Sequence, residues 1–338
     1  MTSSCLPTRL PTPRSNAFPS LRGLRAPLSL KVEHRSPGEV FQTEQCSVGE
    51  VFHFYESEKN MKLLVQSDDY GITRAVSLGC IHGIKNGVVR NTGMFANMPW
   101  IEECVEWIKP YLGQIAFGID LNASTGPSIL GHDKVPALTH EDGTFLGSRE
   151  NRALDTDENG HDHLAAVADQ LEAEFRAQIE RYVELVGHKP DYIHNHAYGT
   201  LTTDRITREL AVEYGVMCSV GFQDRPEVAP AGMGWYKWGG PEEQLTEDPL
   251  AYITGDKAGL LSSGKEWGYV VSHCGYADAD LFRLTSFTTC RPMDLDCMTS
   301  AELRAWLDEN GIELASFNDL PREWIAEQST EPHPMMVM

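Results

Sequence analysis

The sequence predicts an α/β fold of one domain, a (β/α) barrel that is either complete or distorted. Three observations predict it. From Met61 onward, short apolar runs alternate with amphipathic stretches, the pattern of β/α units around a largely parallel sheet. Polar clusters recur directly after the apolar runs, where barrels place their chemistry. No self-similarity with a period of about 20–50 residues points instead to a solenoid.

The elements follow in order. Leu63–Gln66 reads as a buried first strand. A helix follows with Ala75, Leu78, Ile81, His82 and Ile84 on one face, stopping at Gly87. Thr92–Ala96 is a second strand, Pro99 opens a helix in its first turn, and Ile115–Ile119 is a third strand. Residues 120–163 are long, polar and turn-rich, with a hairpin turn at Asp142-Gly143. A loop of that length inside a domain reads as a lid or a binding wall. Leu164, Val167, Leu171, Phe175, Ile179, Val183 and Val186 mark a long amphipathic helix closed by Gly187. Tyr192–Asn195, Met217–Val220 and Tyr269–Ser272 are further strands; a helix over Ser300–Glu309, a stop at Gly311 and a strand at Glu313–Ser316 complete the chain.

Composition excludes several function classes. The 338 residues carry 28 Lys plus Arg against 49 Asp plus Glu, a net charge of −21. Nucleic acid and anionic membrane surfaces both need clustered cations, so neither is expected as a partner. No apolar run reaches the roughly 20 residues of a membrane helix. The eight cysteines are scattered and never form C-x-x-C, which fits free thiols in a reducing compartment and a cytoplasmic location.

Residues 1–60 differ from the rest. They hold 6 of the 19 prolines and a net charge of +1, and no acidic residue precedes Glu33. The segment lacks periodicity and is expected to be a disordered head. Two readings of it stay open. One is a transit segment for organelle import. The other is an over-extended gene model in which translation starts at Met61, favoured because Met-Lys-Leu-Leu-Val opens a strand directly. The domain is expected over residues 61–325, with a flexible tail at 326–338.

Four polar clusters fall at expected strand ends: Ser67-Asp68-Asp69-Tyr70-Gly71, Gly118-Ile119-Asp120-Leu121-Asn122, His194-Asn195-His196 and Ser272-His273-Cys274-Gly275. Adjacent carboxylates repel unless a cation or a shared proton compensates. Asp68-Asp69 therefore reads as a base-plus-ligand pair beside a metal, the bland alternative being a helix cap and a solvated side chain. His194 and His196, two apart on a strand, face the same side and can address one ion. Singly each cluster is weak; together they argue for one mononuclear site.

These segments carry a resemblance. LVQSDDYG, NTGMFANMPW, FGIDLNASTGP, VPALTHEDGTFLG, KPDYIHNHAYG, SHCGY and CRPMDLDCMTSAELRAWLDENGIELASFNDL, in this order from Met61 to about Leu320, resemble the YdjC-like carbohydrate deacetylases. That family includes chitooligosaccharide deacetylases and shares the distorted barrel of other polysaccharide deacetylases. The resemblance implies a metal-dependent hydrolase that removes N-acetyl groups from amino sugars or short oligosaccharides, possessing one divalent ion, Mg²⁺, Mn²⁺ or Zn²⁺. It implies Asp69 and His196 as ligands. Asp120 stands where the family has a ligand His, and His194 stands where it has an Asp, so a ligand swap adds Asp120 and His194 to the set.

The same resemblance implies Asp68 as general base toward the attacking water and His273 as general acid for the departing amine. Arg291 is a candidate to orient a substrate hydroxyl or to pair with Asp294. Tyr198, where the family has a His, is a candidate substrate contact, as are Trp100, Trp235, Tyr236 and Trp238 for stacking on sugar faces. Loss of the metal would instead leave a catalytically silent carbohydrate-binding protein. Another N-acetylated glycoconjugate or a lipid-linked sugar is the remaining substrate alternative. A homodimer is a family-level expectation.

Overall fold

The computed structural model describes residues 60–155, 162–229 and 232–332. The head expected to be disordered lies outside the described residues, apart from Asn60. Seven parallel strands form one sheet: β1 (Lys62–Tyr70), β2 (Asn91–Met94), β3 (Ala116–Leu121), β4 (Tyr192–Asn195), β5 (Met217–Cys218), β6 (Trp267–Ser272) and β7 (Glu313–Ala315). Their order is β5-β4-β3-β2-β1-β6. Strand β7 pairs with residues 62–64 of β1, and β2 with residues 66–70, so the two share one edge of β1. Strands β5 and β6 end the order without pairing to each other, and Val228 and Gly232 instead bridge to β6. The barrel is thus distorted and open.

Between the strands run α1 (Arg74–Asn86), α2 (Ile101–Ile108), α3 (Ser148–Leu154), α4 (Ala168–Val186), α5 (Leu201–Tyr214), α6 (Ser219–Gln223), α7 (Pro249–Thr254), α8 (Ala279–Leu284), α9 (Cys290–Thr299), α10 (Ala301–Glu309) and α11 (Arg322–Glu327). Strand β1 is the axis of the sheet: nine residues, eight of them buried, with partners on both sides. Gly187, at φ +91°, closes α4 as the sequence predicts, because a left-handed C-cap removes the Cβ clash. None of the described helices is long and apolar enough to cross a membrane. Cys80, Cys104, Cys218, Cys274, Cys290 and Cys297 are buried and unpaired.

Several elements differ from expectation for the same reason: a helix can bury a polar or small face. Helix α1 packs on Val76, Ser77, Gly79, Cys80, Gly83 and Ile84, while Leu78 is 46% exposed. The expected face had tracked apolarity, but here closeness decides. A Cβ on Gly79 would lie 2.4 Å from the Gly275 Cα, so only glycine lets α1 reach the loop after β6. Helix α9, absent from the sequence reading, buries Arg291 and Asp294. Pro292 is tolerated there because it sits in the first turn.

In α4, buried Glu174 accepts the Ile129 and Leu130 N–H groups at 2.9 and 3.0 Å, and Gln178 brackets the Asn122 backbone, holding the start of the long loop. That loop contains α3, and its turn at His140–Gly143 closes an antiparallel bridge from Thr139 to Phe145. Pro99 precedes α2 rather than opening it, since Trp100 is the N-cap. Strand β5 stops at Cys218 because Ser219 begins α6. Past residue 325, the Gln328 side chain accepts the Cys218 N–H at 2.9 Å and donates to the Val216 carbonyl at 2.7 Å.

Gly79→Ala tests the close approach. Alanine favours a helix by up to about 1 kcal/mol, but overpacking against backbone costs about 1–3 kcal/mol. Urea unfolding should show a net loss, and an equal or higher midpoint would refute the packing account.

Candidate functional site

Neighbouring residues of a strand face opposite sides of a sheet. Asp68 and Asp69 escape this rule. The pairing of β1 with β2 slips between Ser67 and Tyr70, and Asp69 takes φ +69°. Asp is among the few side chains that tolerate this left-handed region. The slip turns both carboxylates into one buried cluster, where Asp68 is 3% and Asp69 0% exposed.

Asp120 of β3 and His194 of β4 are register partners, so their side chains emerge on one face. Gly93 of β2 leaves the space they use: a Cβ there would lie 1.7 Å from Asp120 Oδ1. Asp68, Asp120 and His194 then converge, each offering a ligand atom within 4.8 Å of the others. His194 Nε2 lies 3.2 Å from Asp68 Oδ2, and its Nδ1 is 2.6 Å from Ser219 Oγ. Asp68 Oδ1 accepts from Gln66 Nε2, whose Oε1 accepts the Tyr269 hydroxyl at 2.6 Å.

Asp69 is held from three other directions. Its N–H donates to Asp120 Oδ2 at 2.7 Å, its Oδ2 accepts from Arg291 Nη2 at 2.6 Å, and its Oδ1 lies 2.7 Å from His196 Nδ1. Arg291 and Asp69 are 1% and 0% exposed. Two buried carboxylate oxygens, Asp69 Oδ1 and Asp120 Oδ1, have no aligned hydrogen bond. The Asp69 oxygen faces His196 instead, which leaves Asp120 Oδ1 as the buried carboxylate oxygen that a cation would compensate.

The charges respond to this crowding. Burial opposes ionisation of Asp69, yet the neighbouring His196 and the Arg291 guanidinium hold its carboxyl well below the usual range. Asp68 is likewise lowered against burial by His194. Asp120 goes the other way: burial and then the Asp68 charge push it well above the usual range, against the opposing pull of His194. Burial works against charge on His194, but Asp68, Asp120 and Asp69 raise it to about 9.

His273 closes the cluster, with Nε2 3.9 Å from Asp68 Oδ2. Its Nδ1 is 2.9 Å from the Tyr236 hydroxyl, which donates to Asp294 Oδ2. That oxygen also accepts the His273 N–H at 2.7 Å, and Asp294 Oδ1 accepts Trp235 Nε1 at 3.0 Å. Because the Tyr236 proton is committed to Asp294, its oxygen accepts from Nδ1–H, which leaves the lone pair on Nε2. Burial pushes His273 down to about 4 and Asp294 up to about 6.

The structure therefore gathers the expected residues but groups them differently. Asp68, expected as the base, joins Asp120 and His194; Asp69 and His196, expected as ligands, lie against each other. Arg291, the candidate to orient a substrate hydroxyl or to pair with Asp294, is buried and bonded to Asp69, not to Asp294. Tyr198, the other candidate substrate contact, is 3% exposed. Its hydroxyl donates to Asp155, which also pairs with His163 at 2.8 Å, and this pins the end of the long loop beside β4. Trp235 and Tyr236 are buried, Trp100 donates to the Gly71 carbonyl at 2.7 Å, and Trp238 is 70% exposed. Sequence reasoning missed Gln66, Ser219 and Asp155. Gln66 had a signal, sitting two residues before Asp68 on a strand; Ser219 and Asp155 had none, being brought in by other elements.

A family model described as YdjC-like protein matches residues 62–309. The chain is 27% identical over 278 residues to carbohydrate deacetylase 2 of Listeria innocua, covering 78% of this chain and all of that protein. It is 29% identical over 273 residues to a carbohydrate deacetylase of Brevibacillus brevis, covering 77% and 100%. A solved structure from Enterococcus faecalis, provisionally described as a cellobiose-phosphate cleavage protein, superposes with a TM-score of 0.62 at 22% identity, covering 77% of this chain and 98% of that one. That likeness shows the same fold.

The raised His194 value sets a pH window. In the cation-free protein the His194–Asp68 attraction should stabilise the fold fully below about 6.5 and be lost as pH rises through about 9. Urea unfolding of the protein and of His194→Gln in chelator should therefore show a stability gap that narrows across that interval. A gap independent of pH would contradict the assignment.

Proposed function

The chain belongs to the YdjC-like family, and from that premise we propose that it is a metal-dependent carbohydrate deacetylase that hydrolyses the N-acetyl group of amino sugars or short oligosaccharides. One observation carries the reading: Asp68, Asp120 and His194 converge from the ends of β1, β3 and β4, with His273 turned toward the same point. The names of the similar Listeria and Brevibacillus proteins support it.

Asp68, Asp120 and His194 would hold the ion. Two carboxylates and one imidazole make a hard, anionic set that suits Mg²⁺, Mn²⁺ or Zn²⁺. A divalent cation there supplies a Lewis acid for the acetyl carbonyl and makes water ionise near neutral pH. Ser219 keeps His194 Nδ1 engaged, so Nε2 is the atom presented to the cluster. Gln66 fixes the Asp68 carboxylate in the same way. Asp69 and Arg291 neutralise each other behind the cluster, which limits its negative charge.

His273 Nε2 carries the free lone pair and is the proton shuttle. As water adds to the amide carbon, one of its protons passes to Nε2; that proton then moves to the amine nitrogen as the C–N bond breaks, giving the free amine and acetic acid, which ionises on release. Tyr236 and Asp294 act through His273 by fixing its tautomer and ring plane, and are positioning residues.

Metal content after dialysis tests the ligand set. His194→Ala should lose stoichiometric Mn²⁺ or Zn²⁺ while His196→Ala retains it; the reverse pattern would return the site to Asp69 and His196. Acetate release from N,N′-diacetylchitobiose tests the reaction, and its absence from fully metal-loaded protein across amino-sugar substrates would falsify the enzyme reading. In the same assay Tyr236→Phe should lower kcat by roughly 10–100-fold, within the range of general acid–base catalysis, with KM nearly unchanged. A change confined to KM would remove Tyr236 from the proton path.

A further inference from the structure

Trp238 is the most exposed of the large hydrophobic side chains among the described residues, at 70%. It is not a loose surface ring. Its indole stacks on Phe287 with centroids 5.3 Å apart and planes 26° apart, and Phe287 in turn lies 4.9 Å from the His273 ring and 5.0 Å from Tyr236. One aromatic wall therefore runs from the proton shuttle outward to an open indole face.

The two loops that carry this stack are stapled by one side chain. Gln244, 4% exposed, donates to the Gly239 carbonyl at 3.1 Å and the Ser286 carbonyl at 2.7 Å. Its Oε1 accepts the Thr288 and Thr289 N–H groups, both at 3.0 Å. Thr289 Oγ1 adds a bond to the Pro241 carbonyl at 3.0 Å, and Lys237 Nζ lies 3.7 Å from Glu247. A buried amide that spends both ends joining Gly239 to Ser286–Thr289 fixes the ring pair before any ligand arrives. Preorganisation of this kind cuts the entropy lost on binding. An exposed indole held flat, beside a site whose other groups are polar, matches a ligand with one apolar face and a hydroxylated edge.

We propose that the outer face of Trp238, backed by Phe287, is a stacking subsite for a second pyranose ring, the unit next to the sugar whose N-acetyl group faces His273. The inference rests on the deacetylase reading for its orientation and goes beyond it in assigning Trp238 as the residue that discriminates a disaccharide from a monosaccharide. Tyr236 and Trp235 of the same Trp-Tyr-Lys-Trp run have the opposite task, since both are buried against Asp294.

The test compares the full chain with Trp238→Ala and Trp238→Phe, on N-acetylglucosamine and N,N′-diacetylchitobiose, by calorimetric titration and by acetate release. Trp238→Ala should weaken disaccharide binding and raise its KM about tenfold, the size of one lost ring contact. It should leave kcat for the disaccharide and both parameters for the monosaccharide unchanged, and Trp238→Phe should restore most of the loss. Thermal melts equal to the parent verify folding; should alanine fail there, Trp238→Leu takes its place. Equal losses on both sugars, or no loss on either, would overturn the subsite. Trp238-dependent disaccharide binding without acetate release would keep the subsite and remove the deacetylase reading, whereas acetate release unaffected by Trp238 would do the opposite.

Discussion

A carboxylate removed from water must find compensation, and Asp69 is 0% exposed. Much of the molecule is arranged around that requirement. Its side chain draws Arg291 in from α9 and His196 from beyond β4, while its N–H reaches Asp120 on β3. One residue thereby ties four elements at the strand ends. Removing Arg291 would strand the buried Asp69 carboxylate, the kind of change that costs most among single substitutions. The left-handed turn at Asp69 is part of the same constraint, because it is what brings Asp68 round to the opposite side of the cluster.

The divided cluster gives a division of labour. One half, Asp69 with Arg291 and His196, is internally balanced. The other half, Asp68 with Asp120 and His194, holds an excess of negative charge, and its consequences are visible in the groups themselves. Asp120 is pushed toward the neutral form and His194 toward the charged one. A surplus of anionic donors beside a balanced pair is the electrostatic setting that favours a cation. His273 stands apart from both halves, kept neutral by burial and oriented by the Tyr236–Asp294 chain.

Strands were legible in the sequence because this parallel sheet is buried and its strands read as near-continuous apolar runs. Tyr192–Asn195 is reproduced to the residue, and β1 differs mainly in extending through the polar Ser67-Asp68-Asp69. Helix faces were less legible. In α1 the face toward the core is small rather than apolar, and α9 buries an arginine and an aspartate, so neither obeys the usual stripe. The site followed the same division. Strand-end Asp and His residues were identifiable from position alone, whereas the burial of Arg291 and Tyr198 was not, because sequence carries no record of it.

Taken by itself, the sequence determined the fold class, the family and the set of titratable residues at the strand ends, since each of these is written in periodicity, order and spacing along the chain. The tertiary structure alone decided how those residues are partnered. The slip at Asp69 reverses the face expected from strand alternation, the β3–β4 register aligns Asp120 with His194, and the absence of a Cβ at Gly93 gives their carboxylate room. Partnership depends on distances of a few ångströms between segments far apart in the chain, and those distances exist only once the sheet has formed.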